Sequence, residues 1–351
     1  MIDEGRARSI DATRTGYPDH VKVGEEIVNA QNDLMEAVGG PARARQVADL
    51  FSRSSAADPQ LSKLLHSSFD MDRVDYLQRD SRAAGVPYGN IDVNYLMNSL
   101  RISRTGMLGV AEKALPAAEQ FLLARFFMHK AVYFHKTTFG IEEACRQLLR
   151  RIRDAGLFDI PPDGQAVLAL VRSPELVGFT DDYVDRLIHR AAEADEPVMR
   201  ALARCIETRR PPKLLKEVQV LEDTKHQEHN PGQFFLSRAK RSLKALAHRH
   251  GIPMGQFLLC STRPLRLEPR GSFLTTEQAR SVEPEQEDEL IKVFVGNDAE
   301  PRSLVEVTHS IIHVCCNYSW QAFRLYLVHD GPDRSAIAER LRKAVRNWDK
   351  S

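Results

Sequence analysis

Apolar residues recur at intervals of three and four along most of the first 150 residues, the spacing that gathers them on one face of an α-helix. Residues 23–38 (VGEEIVNAQNDLMEAV) and 42–54 (ARARQVADLFSRS) follow it on either side of a Gly-Gly-Pro break, with Pro41 at a helix-start position. Residues 69–85 (FDMDRVDYLQRDSRAAG) predict a further helix, with Gly85 as its C-terminal stop. The longest strongly apolar stretch, 115–140 (LPAAEQFLLARFFMHKAVYFHKTTFG), predicts a helix at the centre of the core, and 141–156 continues the pattern.

Residues 157–230 also read as mostly helical. Thr180 is a good N-cap for FTDDYVDRL, with acids in the first turn. The next helix, in EPVMRALARCIETRRPPKLL, ends against Pro211–Pro212, and the polar stretch 222–232 closes on Asn-Pro-Gly as a linker. From 233 the character changes. Residues 234–251 form a basic helix, while QFLLCS, ELIKVFVG and FRLYLVH have the length and content of short buried strands. LVEVTHSIIHVCC and SAIAERLRKAVRNW are helical, and 262–288 is a long polar loop. The pattern predicts a mainly α protein whose helical core is followed by a small α+β lobe at the C-terminus. The boundaries are 1–156 for the core, 157–232 for a helical extension and linker, and 233–351 for the lobe, whose three strands share one unit with packed helices.

Composition narrows the function classes. A hydrophobic fraction of 42% supports a sizeable core, and 49 Lys+Arg against 48 Asp+Glu leave a net charge of +1. Such a balance gives no general attraction to nucleic acid or membrane, so an anionic ligand must be met by a local basic cluster. The five cysteines lack CxxC spacing, which argues against a disulfide framework and a cysteine-rich zinc site; Cys315–Cys316 read as buried filler. No apolar run reaches the roughly 18 residues of a membrane span. The first 20 residues hold no signal-peptide core, and the expected compartment is the cytoplasm.

Two segments carry candidate chemistry. On a helix over 69–85, Asp72, Tyr76 and Asp80 share one face, with Arg73 beside it and Arg79 at its far end. A carboxylate there can hold a divalent cation, and a tyrosine with an arginine can hold phosphate oxygens; the same spacing also fits a solvated, salt-bridged face. In the second segment, Arg125, His129 and Tyr133 line one face of an otherwise apolar helix, with Lys136 a turn further on. Buried cations and imidazoles are costly without partners, so this face meets water, a ligand or the Asp72 helix. Other groupings are weaker. The His226/His229 and His248/His250 pairs lack nearby acids in a rigid element, and the basic residues Arg238, Lys240, Arg241, Lys244 and Arg249 fit a solvated face as well as a nucleic-acid contact. Walker, GxGxxG and GxSxG patterns are absent from the sequence.

Together, FDMDRVDYLQRDSRAAGVPYG and the downstream R-x3-H-x3-Y-x-H-K resemble the HD-domain phosphohydrolases, and among them the deoxynucleoside triphosphate triphosphohydrolases of the SAM-and-HD-domain type. The resemblance extends from about residue 60 onward. It implies an HD-domain-like helical core, a divalent metal ion (Mg, Mn, Fe or Zn), and hydrolysis of a deoxynucleoside triphosphate to nucleoside and triphosphate. It implies Asp72 as a metal ligand, Arg73 and Tyr76 as phosphate contacts, and Asp80 as the acceptor of the sugar 3′-hydroxyl. Arg125, His129 and Tyr133 fall around the triphosphate and sugar. His20, in DHVKVGEEI, resembles the family's catalytic histidine near the leaving group, with Val21 in place of the usual acid. The expected partners are a nucleotide substrate and further copies of the chain, not a membrane.

The sequence departs from the family upstream of Asp72. The family's first metal-binding histidine and its His-Asp pair belong to a string such as HDxGHxPFSH, and here the upstream histidines are His20 and His66, neither followed by aspartate. The one His-Asp dipeptide, His329–Asp330, precedes Gly-Pro as a turn signal. Two expectations follow. In one, the chain starts late and the complete enzyme carries the ligands upstream; in the other, it is a catalytically inactive remnant that serves as a nucleotide-binding or assembly module.

Overall fold

The computed structural model describes residues 17–18, 20–52, 54, 56–66, 69–156, 158, 160–223, 230–267 and 291–349. His226, His229 and residues 268–288 of the expected loop lie outside the described residues. Up to residue 156 the chain forms α1 (His20–Ala30), α2 (Asn32–Ala37), α3 (Pro41–Ser52), α4 (Pro59–His66), α5 (Met71–Ala84), α6 (Val93–Asn98), β1 (Leu100–Ile102), β2 (Leu108–Ala111), α7 (Leu115–Met128), a π-helical turn (His129–Tyr133) and α8 (Lys136–Asp154). Then come α9 (Gly164–Val171), α10 (Asp181–Ala192), α11 (Pro197–Glu207), β3 (Lys213–Asp223), α12 (Pro231–His250), β4 (Phe257–Ser261), β5 (Lys292–Phe294), β6 (Arg302–Ser303), α13 (Ile311–Cys315), β7 (Tyr318–Leu327) and α14 (Arg334–Val345). The fold is mainly α with a small sheet-containing C-terminal region, as the periodicity predicts.

The chain groups into two units, one of residues up to Leu65 with Arg150–Leu187, the other of His66–Leu149 with Ile188–Ser351. In the first, the helix expected over 23–38 is broken at Gln31, whose backbone is extended at φ −89° and ψ 108°. The Gln31 side-chain amide donates to the Val171 carbonyl at the end of α9, a long-range tie that holds the break in place.

The second unit carries two sheets. β3, β7 and β4 form an antiparallel sheet in the order β3-β7-β4. Phe235 and Leu243 from α12 pack with Ile337 and Leu341 from α14 in the buried cluster that includes Phe323, Leu325 and Leu327 of β7. The second sheet runs β1-β2-β5-β6, with β5 parallel to β2. Two sequence expectations are corrected here. The strand in ELIKVFVG does not join the strands of QFLLCS and FRLYLVH but extends a hairpin from the helical core, pairing Val293 with Val110. Residues 213–223, which fall in the stretch read as mostly helical and reach into the linker expected from 222, form the edge strand β3. Leu214, Leu215, Val218 and Leu221 are spaced by one, three and three, which suits a helix as well as a strand; pairing with β7 along nearly the whole segment selects the strand.

Candidate functional site

The site is built where α5 faces the end of α7, both in the second unit. Asp70 caps α5: its Oδ1 accepts the Arg73 backbone N–H at 2.7 Å, and its Oδ2 pairs with the Arg73 guanidinium. With the helix start fixed, Asp72, Tyr76 and Asp80 rise in successive turns along one side. Asp72 is exposed, while Arg73, Tyr76 and Asp80 are half-buried. The opposite side of α5 holds it to α7. Phe69 meets Phe121 edge to face at 5.0 Å, and Val74 and Leu77 share one buried cluster with Leu122 and Met128.

The apolar pattern predicts an unbroken helix over 115–140, but α7 gives way after Met128 to the π turn, closed by the Phe134 N–H donating to the His129 carbonyl at 2.7 Å. Such single wide turns recur at functional sites. In an α-helix, residue i+4 stands about 40° past residue i. The wider turn changes that offset, and across it the His129 and Tyr133 rings meet with centroids 4.9 Å apart. The same interruption ends the shared face before Lys136. That residue starts α8 and lines a separate cleft of about 500 Å³ with Lys213, Lys216, Glu217, Arg334 and Arg342.

Tyr133 joins the two sides. Its hydroxyl donates to Asp80 Oδ2 at 2.7 Å, and its ring meets that of Tyr76 edge to face at 6.1 Å. Burial, then the hydrogen bond to Asp80, pushes the Tyr133 hydroxyl pKa far up. Burial also raises Tyr76, against the opposing fields of Arg125 and Arg73. Asp70 is raised by burial and partly brought back by Arg73 and Arg125. Thus the charges of α5 and α7 act on the same groups. His129 is 8% exposed, and its Nδ1 has no hydrogen-bond partner. Burial, followed by the positive fields of Arg125, Arg263 and Arg73, pushes its pKa down to about 3, so the imidazole is neutral at neutral pH.

Chemically, the arrangement sets the arginines Arg73 and Arg125 and the carboxylates Asp70, Asp72 and Asp80 around a neutral histidine and a tyrosine–carboxylate pair. Guanidinium groups grip phosphate oxygens through charge-assisted bonds, and a carboxylate accepts from a hydroxyl. The residues do not fit a catalytic metal. Among the described residues no group of three or more His, Cys, Asp or Glu side chains could hold a metal ion, and Asp72 alone is too small a donor set. His20 is the exposed first residue of α1, in the first unit.

Sequence reasoning missed two participants. Asp70 was legible, as an N-cap aspartate just before the helix. Arg263, in the loop after β4, leaves no local mark: only the fold brings its charge to His129.

Comparison with known proteins finds a family match over part of this chain. Residues 91–192 match the family described as the HD associated region. The chain is 31% identical over 122 residues to the uncharacterized protein YwfO of Bacillus subtilis, covering 35% of this chain and 28% of that protein. A second uncharacterized protein, from Methanocaldococcus jannaschii, is 37% identical over 78 residues, covering 21% and 17%. The matches thus span less than a third of either relative. A phosphohydrolase structure from Bacteroides thetaiotaomicron is similar with a TM-score of 0.55 at 19% identity, covering 89% of this chain and 76% of that one. A hypothetical protein from Aquifex aeolicus gives a TM-score of 0.59 at 19% identity, covering 89% and 68%. At this identity the likeness is one of fold. Among the described residues no helix is long and apolar enough to cross a membrane.

Proposed function

We propose that this chain carries the nucleotide site of an HD-superfamily phosphohydrolase, whose complete form hydrolyses deoxynucleoside triphosphates to nucleoside and triphosphate. The observation that carries the reading is the Tyr133–Asp80 hydrogen bond lying beside His129, a buried neutral imidazole on which arginines converge. In this reading Arg73 and Arg125 grip phosphate oxygens. His129 offers its open Nδ1 as a neutral hydrogen-bonding group, so it adds no charge that would have to be desolvated. Asp80 accepts from the sugar 3′-hydroxyl, and Tyr133, already bonded to Asp80, fixes that carboxylate's orientation. Tyr76 closes the side of the cleft. The role of His20 near the leaving group rests on the resemblance of its surrounding string alone. A divalent metal (Mg, Mn, Fe or Zn) belongs to the complete enzyme, and of its ligands the proposal assigns only Asp72 here.

A second reading, favoured by that single metal-ligating carboxylate, is a nucleotide-binding or assembly module without catalysis. Both require the nucleotide to bind. Calorimetric titration with dGTP in the presence of a chelator is expected to give a Kd between tens of micromolar and millimolar. Arg125→Ala should weaken it at least tenfold, since a hydrogen bond to a charged group contributes about 1.5–3 kcal/mol. Equal affinity of the two proteins would remove Arg125 from the site and the proposal with it.

A further inference from the structure

Arg263 lies in the loop that leaves β4, far along the chain from α5 and α7, yet the structure brings it to the π turn. Its guanidinium carbon stands 5.9 Å over the centre of the Phe134 ring, and that ring is 5.6 Å from the imidazole of His129. Phe134 is backed in turn by Trp320 of β7, stacked at 6.3 Å, and Lys130 lies 5.6 Å over Trp320.

The backbone around Arg263 is held firmly. The Thr262 N–H donates to the Ala322 carbonyl at 2.8 Å, and the Ala322 N–H donates to the Thr262 hydroxyl at 3.0 Å. The Gln321 side-chain amide donates to the Thr262 carbonyl at 2.7 Å, and Leu265 and Trp320 exchange backbone bonds of 2.7 and 2.8 Å. Residues on both sides of Arg263 are therefore fastened to the central strand of the sheet, while the Arg263 side chain is exposed. A rigid backbone holding an exposed guanidinium over Phe134, the ring next to a deeply buried His129 whose Nδ1 is unpartnered, is a placement suited to a ligand.

We infer that Arg263 is a third phosphate-gripping arginine of the nucleotide site, supplied by the strand-rich lobe. Arg73, Arg125 and Arg263 come from three separate elements: α5, α7 and the loop after β4. Cations spread in this way suit a polyphosphate chain better than a single phosphate. The inference deepens the proposed function and rests on it for the nucleoside end of the ligand and for the roles of Arg73 and Arg125, while the place of Arg263 rests on geometry.

The test uses inorganic tripolyphosphate and orthophosphate, titrated calorimetrically into the whole chain with chelator present. Arg263→Gln should weaken tripolyphosphate binding at least tenfold and orthophosphate binding less. Arg263→Met, which keeps an apolar stem over Phe134 without the charge, should show the same loss, and Arg263→Lys should restore most of the affinity. Lys244→Ala, on the exposed face of α12, should change nothing. Melting curves show whether each variant is folded, and the Met variant keeps the test decisive if the Gln variant is not. Wild-type affinity in the folded Gln or Met variant, with loss in Arg125→Ala, would overturn the inference and leave the nucleotide reading standing. Failure of the wild-type chain to bind tripolyphosphate would overturn it as well. A tenfold loss in Arg263→Gln, with dGTP binding no better than tripolyphosphate, would uphold Arg263 and count against the nucleotide reading.

Discussion

Acidification from pH 6.5 to 5 removes up to about 1.4 kcal/mol of stability per pH unit through His129, and His129→Gln abolishes that contribution. In the folded protein the His129 pKa is pushed down from 6.5 to about 3, chiefly by burial and then by Arg125, Arg263 and Arg73. Between those values the unfolded chain binds a proton that the folded chain refuses. Stability therefore rises with pH through this window; the contribution is full above the unfolded value and is lost as pH falls towards the folded one. Over the whole window it is on the order of several kcal/mol. Two groups act with the opposite sign. Burial raises Asp70, which favours the folded state on acidification, and the exposed His189, raised by its bond to Glu207, loses its stabilisation as pH rises. Both are common to wild type and variant, so the difference in slope isolates His129. Urea unfolding of both proteins at several pH values from 6.5 to 5 measures it, and parallel pH profiles would contradict the buried neutral imidazole.

Gly89→Ala should destabilise the protein by about 3 kcal/mol or more, at the top of the range for overpacking. A Cβ at position 89 would stand 2.2 Å from the Leu77 carbonyl oxygen and 2.5 Å from the Ser81 Cβ. Neither belongs to the far end of a flexible side chain, so helix or loop must shift. The shift would also strain a local network in which the Gly89 N–H donates to the Ser81 hydroxyl at 3.1 Å, and that hydroxyl donates to the Val86 carbonyl. Leu77 lies between Tyr76 and Asp80 on α5, so displacement there reaches the candidate site. Gly85 provides the comparison. It ends α5 at φ +65° with open space where a methyl group would stand, so Gly85→Ala meets only the left-handed backbone penalty of roughly 1–2 kcal/mol. Denaturant unfolding of the two variants should rank Gly89→Ala well below Gly85→Ala, and the reverse order would refute the close approach.

How much of this was legible in the sequence depended on how local the cause is. The helix α5 follows from an aspartate cap, apolar residues at helical spacing and a glycine stop, and all three signals lie within the segment itself. The face carrying Asp72, Tyr76 and Asp80 was legible for the same reason. The π turn was not, because HKAVY is as compatible with an α turn; what the sequence does show is His129 and Tyr133 four apart. Strand β3 was hidden because its partner β7 lies about 100 residues further on, and the spacing of its leucines satisfies either period. Unit membership is likewise discontinuous, with Arg150–Leu187 grouped with the first 65 residues, and a linear pattern carries no mark of that. Arg263 belongs to the same category: its relation to His129 exists only after β4 and β7 have paired.

The central claim is that α5 and the end of α7 form one phosphate-binding cleft, with Asp72 as a carboxylate meant to face a cation. Asp72 is exposed, and its negative charge is felt at Asp70 and Tyr76, within that cleft. With chelator present it should repel a phosphate chain, by roughly 1 kcal/mol at a separation of about 4 Å in a water-like environment. The most direct measurement is calorimetric titration of wild type and Asp72→Asn with dGTP under those conditions. The variant should bind about fivefold more tightly; weaker binding by Asp72→Asn would show that the carboxylate itself holds the ligand, and would contradict its assignment as a metal-facing group.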